Sequence, residues 1–155
     1  NDEILAADAR LAVVVARDPV VTQLCTAPGI GPVTAVAFVA TLDVVTRFTS
    51  AHQVEAYLGL TPREYSSGER QHRGRISKTG NARMRYLLVE AAWRLLRSKG
   101  PAAAPLRAWA EGIAQRRGRS IAAVALARRL AGILYAMWRD GTDYRTRGAA
   151  AVAVA

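Results

Sequence analysis

The side chains best suited to chemistry lie between positions 59 and 85. The stretch reads Gly59-Leu60-Thr61-Pro62-Arg63-Glu64-Tyr65-Ser66-Ser67-Gly68. After Glu69 to Arg73 it continues as Gly74-Arg75-Ile76-Ser77-Lys78-Thr79-Gly80-Asn81, with Arg83 and Arg85 just beyond. Tyr65, Ser66 and Ser67 supply hydroxyls, and Arg63, Arg70, Arg73, Arg75, Lys78, Arg83 and Arg85 surround them in sequence. A hydroxyl among cations can bond a phosphate oxygen passively. It can also attack phosphorus while the cations stabilise the developing charge. Residue types alone favour passive binding, and the plainest alternative is a polar loop with a basic rim.

A second signal is Pro28-Gly29-Ile30-Gly31 between two helical patterns. It resembles the hairpin of a helix-hairpin-helix element. In such a hairpin Gly29 and Gly31 would let the backbone approach a phosphate, and the next helix would aim its first N–H groups at it. The flanks carry few cations, Arg17 and Arg47 being the nearest, so a plain glycine turn remains open.

The charge distribution favours the first stretch. The net charge of +10 rests on 20 Arg and 2 Lys, and residues 1–62 are net negative at −3. The excess begins at Arg63: residues 63–97 carry +6 and residues 111–147 carry +5. Arginine binds phosphate through a planar fork, so this asymmetry points to a polyanion partner, against incidental charge on solvated helix faces. One cysteine, Cys25, excludes a disulfide framework, and His52 and His72 cannot build a metal site alone. No apolar run is read as a membrane span, the nearest being Val33–Leu42.

These residues must be positioned by helices. With 155 residues and 51% apolar composition, the chain has the size of one domain. Helical spacing is read over Asp2–Arg17, Pro19–Thr26, Pro32–Leu42, Ala51–Leu58, about 79–97, Pro105–Gln115 and Ile121–Trp138. Asp18, Ser50 and Ser120 are expected caps, and Gly59, Gly100 and Gly141 expected stops. Residues 60–80 break the pattern, consistent with a loop or a short two-stranded hairpin. The expected fold class is all-α. Trp93, Trp109 and Trp138 are expected in the core, Cys25 as a small buried apolar residue, and Arg128 and Arg129 on an exposed face. The chain starts at Asn1 without Met, and is expected to be a piece of a longer protein.

From Pro28 to about Ala92 the chain closely resembles the C-terminal domain of the IS116/IS110/IS902 family of insertion-sequence transposases. These are DEDD-type serine enzymes related to Piv-type DNA invertases. The matching pieces are Pro28–Gly31, Tyr57–Arg63, Ser67-Gly68 and Ile76–Asn81 with Arg85, in the same order and spacing. The resemblance implies a catalytic serine before glycine in a Tyr-x-Ser-Gly motif. Here Tyr65-Ser66-Ser67-Gly68 maps it to Ser67, with Ser66 in the variable position. It further implies attack on a DNA phosphate, a phosphoserine link, and a structured bridge RNA that guides the choice of DNA. Magnesium would be bound by four acidic residues of an N-terminal RuvC-like domain. None of Asp2, Glu3, Asp8 or Asp18 fits that acidic pattern, so no metal ligand is expected here.

On this resemblance residues 1–18 end a helical linker, 19–141 form the transposase domain and 142–155 a mobile tail. The piece alone would be inactive. The full-length protein would be a homo-oligomer in the bacterial cytoplasm, associated with the nucleoid, with no membrane contact. Candidate phosphate contacts are Gly29, Gly31, Arg63, Arg70, Arg73, Arg75, Lys78, Arg83 and Arg85. The alternative is a non-catalytic helix-hairpin-helix module that binds nucleic acid, for which a Tyr-x-Ser-Gly motif would serve no purpose.

Overall fold

A computed structural model describes residues 1–68 and 70–144, apart from the side chains of 64–67 and 70–73. Seven α-helices account for most of it: α1 (Asp2–Arg17), α2 (Pro19–Leu24), α3 (Pro32–Leu42), α4 (Ala51–Tyr57), α5 (Ala82–Arg97), α6 (Ala104–Arg117) and α7 (Arg119–Asp140). Two strands, β1 (Pro62–Ser67) and β2 (Arg70–Ile76), pair antiparallel as a hairpin between α4 and α5. The fold class is all-α with one small hairpin, as the sequence indicates.

Local chemistry explains most boundaries. Asp18 Oδ1 accepts from the N–H groups of Val20 (2.9 Å) and Val21 (3.3 Å), so Pro19 can open α2 without losing a helical hydrogen bond. Ser50 caps α4 through the N–H of Gln53, and Asn81 caps α5 through the N–H of Met84 at 3.0 Å. Gly141 adopts the left-handed conformation that stops α7. Ser120 does not cap α7: the helix starts at Arg119, its N-cap is Gly118, and no side chain caps it. Residues 101–103 form a 3-10 turn that leads into α6, so Pro105 lies within the first helical turn of α6.

The core is built around α7, whose Leu126, Leu130, Leu134, Tyr135 and Met137 are buried against the other helices. By length and composition α7 would pass for a membrane span, a run that the sequence reading does not single out. In the fold 61% of its most apolar stretch is buried, as in a core helix. The opposite case is α1, which buries no residue and leaves Ile4, Leu5, Val13 and Val14 exposed. Trp93 and Trp138 pack against the core, with Trp138 tilted against Phe38 at 6.5 Å. Trp109, expected inside, is exposed, and the Arg129 guanidinium stacks over its ring at 4.4 Å. Trp109 falls on the rim of the α6–α7 contact, where a cation can cover it.

A few contacts fix the helix directions. The Arg128–Glu55 ion pair and the approach of Gly132 to Ala51 set α4 antiparallel to α7. The Arg129–Trp109 pair does the same for α6 and α7. Arg85, in the first turn of α5, reaches Leu58 at the end of α4, while Leu95, near the end of α5, meets Gly29. Just past α7, the N–H of Tyr144 donates to Thr26 Oγ1 at 3.0 Å, beside the same glycine turn. α5 and α7 therefore run in the same direction. The hairpin and the α6–α7 turn share one end of the bundle, and the Pro28–Gly31 turn lies at the other.

Of the segment expected to be a mobile tail, residues 142–144 are described, with Tyr144 half-buried against the core. Residues 145–155 lie outside the described residues.

Candidate functional site

The hairpin rises from two interlocked turns. Gly59, with φ +72°, ends α4. Lys78 (φ +56°) and Gly80 (φ +79°) shape the turn from β2 into α5. A Cβ on Gly59 would stand 2.6 Å from the Thr79 nitrogen, and one on Gly80 would run into the Tyr57 carbonyl oxygen. Backbone bonds join the two turns: the Lys78 N–H donates to Gly59 O (3.1 Å) and the Ser77 N–H to Thr61 O (2.9 Å). Arg85 closes the arrangement, its Nη1 donating to Leu58 O (3.2 Å) and Thr79 O (2.6 Å). Beneath it, Tyr57 meets Phe48 edge-on at 5.2 Å, with the Arg47 guanidinium 5.5 Å from both rings.

From this base the register runs Pro62↔Ile76, then Glu64↔Arg73 after an irregularity, Tyr65↔His72, Ser66↔Gln71 and Ser67↔Arg70. Ser67 is thus the last residue of β1, directly before the tip, where Gly68 takes φ +68° and is open to solvent. Two positions separate the paired Ser67 and Arg70, the length of a tight hairpin loop. The serine backbone therefore sits at the far end of the hairpin from the helices.

The candidate cations divide by what they do. Arg63, Arg75, Lys78 and Arg83 are exposed around the lower hairpin, and Arg63 Nη2 also donates to Ser77 O at 3.2 Å. Arg85 is half-buried, and its Nη1 joins two carbonyls, so one side of its guanidinium positions the hairpin base. The side chains of Ser67, Arg70 and Arg73 lie outside the described ones; their backbones are placed by the register alone.

The glycine turn packs against a neighbouring helix. Gly29 (φ +77°) presses on α5, where a Cβ would meet Leu95 Cγ at 2.9 Å and Ala91 O at 3.2 Å. Close approach is needed there, but to a neighbouring helix. Gly31 has open space around it and begins α3. The turn and the hairpin base sit by opposite ends of α5, about 20 Å apart at 1.5 Å per residue. The two sequence signals therefore do not form one surface.

Arg128 and Arg129 are both engaged. Arg128 Nε lies 2.7 Å from Glu55 Oε2, and Glu55 is only 14% exposed. This pair was legible only as two arginines, because its partner is 73 residues away. Cys25 is half-buried beside the glycine turn, and burial pushes its thiol pKa up. Among the described residues no three His, Cys, Asp or Glu side chains gather to hold a metal ion.

The family model described as Transposase IS116/IS110/IS902 family matches residues 21–107, more than half of the chain. The chain belongs to this family. The match takes in the glycine turn, both halves of the hairpin base and all of α5, and it ends within α6.

Relatives extend the likeness. A probable family 20 transposase of Pseudomonas aeruginosa is 35% identical over 152 residues, covering 94% of this chain and 45% of the relative. The transposase for insertion sequence element IS1111A of Coxiella burnetii is 36% identical over 118 residues, 76% of this chain and 32% of the relative. An insertion element IS110 protein of 43.6 kDa from Streptomyces coelicolor is 29% identical over 155 residues, all of this chain and 38% of the relative. The chain therefore spans less than half the length of each of these relatives.

Proposed function

We propose that this chain is the serine-bearing part of a transposase that cuts and rejoins DNA strands, with Ser67 as the nucleophile. The observation that carries the reading is the position of Ser67. It ends β1 at the tip of a hairpin fixed at its base by two interlocked turns, within the family's matched segment and paired in register with Arg70. In the proposed step the Ser67 oxygen forms a bond to a DNA phosphorus, and the bond from phosphorus to the leaving deoxyribose oxygen breaks. The serine proton passes to a base, and the leaving oxygen takes one up. Reversal on a second strand rejoins the DNA.

An alcohol attacks a phosphodiester slowly unless its proton is removed and the charge on the phosphoryl oxygens is stabilised. Arg70, paired with Ser67, and Arg73 on the same strand are the cations nearest in register for the second task, while Arg63 and Arg75, exposed lower on the hairpin, suit contacts to neighbouring phosphates. On the family resemblance, acidic residues of a RuvC-like part of the protein would hold magnesium, which would help to stabilise charge on the phosphoryl oxygens. A hairpin standing off the helical body suits an active site completed by another domain or subunit. Guidance by a structured RNA and assembly into oligomers belong to the same proposal, and rest on the family resemblance.

The test is strand cleavage by the protein at the length of its relatives. Ser67→Ala should abolish cleavage and leave DNA binding intact, while Ser66→Ala should retain cleavage. Cleavage that is normal in both variants would rule out a serine mechanism. The alternative, a non-catalytic binding module, is weakened by the distance of the glycine turn from the basic hairpin and by the packing of Gly29 on α5.

A further inference from the structure

The α6–α7 turn carries Arg116, Arg117 and Arg119 around Gly118, all exposed. None of the three has an ion pair or a hydrogen-bonding side chain among the described residues. The acids of these two helices are engaged elsewhere: Glu111 lies 3.8 Å from Arg107, and Asp140 pairs with Arg139. The turn is thus an uncompensated cationic tip, and it lies outside the segment matched by the family model.

Its place in the bundle gives it meaning. From Arg128, level with Glu55, α7 runs back nine residues to Arg119, about 13 Å at 1.5 Å per residue. From Glu55 to Gly59 the α4 side advances only about 6 Å by the same measure. The tip therefore projects past the end of α4, on the end of the bundle that also holds the hairpin base, Lys78 and Arg83. Two separate elements present exposed cations at one end, and nothing in the packing requires those cations there.

We propose that the α6–α7 turn is a second phosphate-binding surface, which grips duplex DNA beside the segment engaged by the hairpin. This rests on the reading that the chain acts on DNA. Duplex DNA is the partner favoured because cations on two elements fit a backbone that continues past the reacting strand position. Exposed arginines at a tip hold phosphates and release counterions without reading sequence.

The test is fluorescence anisotropy with a labelled DNA duplex and this chain, across a range of salt. The triple variant Arg116→Gln, Arg117→Gln, Arg119→Gln should bind more weakly. Its slope of log affinity against log salt should be shallower by about 2 to 3, at about 0.9 for each phosphate no longer neutralised. The matching triple Arg→Lys variant should keep the slope. A control that removes three exposed cations from the other end, Arg94→Gln, Arg97→Gln and Lys99→Gln, should change it much less.

An unchanged slope in the tip variant would overturn the proposal, as would an equal loss in the control, which would show a net-charge effect. Loss of binding to a folded RNA with none to duplex DNA would also overturn it. Thermal melting of each variant guards against misfolding. The Ser67 reading fails separately: normal cleavage by Ser67→Ala would sink it whatever the salt slopes show.

Discussion

Gly80 lies so close to the carbonyl oxygen of Tyr57 that no side chain fits between them. Its φ of +79° would strain any other residue in the same place. Gly59 stands in the same relation to Thr79 from the opposite turn. These contacts tie the end of α4 to the start of α5 and so fix where the hairpin emerges. Gly80→Ala and Gly59→Ala should each cost more than about 2 kcal/mol in urea unfolding, from strain and a backbone clash together. Gly118→Ala, with open space but a backbone conformation (φ +92°, ψ 159°) that only glycine adopts readily, should cost about 1–3 kcal/mol from strain alone.

The glycine turn offers a contrast between two nearby positions. Gly29→Ala should destabilise the fold by about 1–3 kcal/mol, because its Cβ would press on Leu95 and its φ is positive. Gly31→Ala has room and should cost no more than about 1 kcal/mol. If the turn has no phosphate role, neither variant will change the salt dependence of DNA binding while it remains folded.

Arg85 and Arg75 should separate structure from binding. Arg85→Met leaves the carbonyls of Leu58 and Thr79 without that donor and should lower stability by about 1–3 kcal/mol. Arg75→Gln, on an exposed strand residue, should leave the melting temperature in place and make DNA binding less sensitive to salt. Melting and anisotropy on both variants read the two effects independently.

The Cys25 thiol gives a pH signature. Burial pushes its pKa above that of a free thiol, so alkylation by iodoacetamide in the folded chain should need higher pH than in the urea-unfolded chain. The sign for stability follows. The folded state holds the thiol neutral, so its contribution is complete below the unfolded pKa and is lost as pH rises toward the folded one. Cys25→Ala should remove this part of the alkaline dependence.

Much of the fold was legible because its signals are local. Asp18-Pro19, Ser50, Asn81 and Gly141 mark helix ends through bonds within four residues. The hairpin was legible as a break in helical period between Leu60 and Gly80. What escaped depends on distant residues. Trp109 matches an inward position by periodicity, but it meets Arg129 across the α6–α7 contact. The structural bonds of Arg85 were not legible either, because Leu58 is 27 residues away in sequence. The shared end of hairpin and α6–α7 turn exists only once the helices have directions. Ser67 was legible through a motif, which placed it in sequence, while its position at the hairpin tip came from strand pairing.

The most direct measurement is the site of covalent attachment to DNA. The protein at the length of its relatives would be incubated with a DNA substrate whose cleaved strand cannot be rejoined, then denatured, digested and sequenced by mass spectrometry. The expected result is a nucleotide adduct on the peptide holding Tyr65-Ser66-Ser67-Gly68, localised to Ser67 and absent from Ser67→Ala. An adduct on Ser66 or Tyr65, or continued strand cleavage by Ser67→Ala, would contradict it.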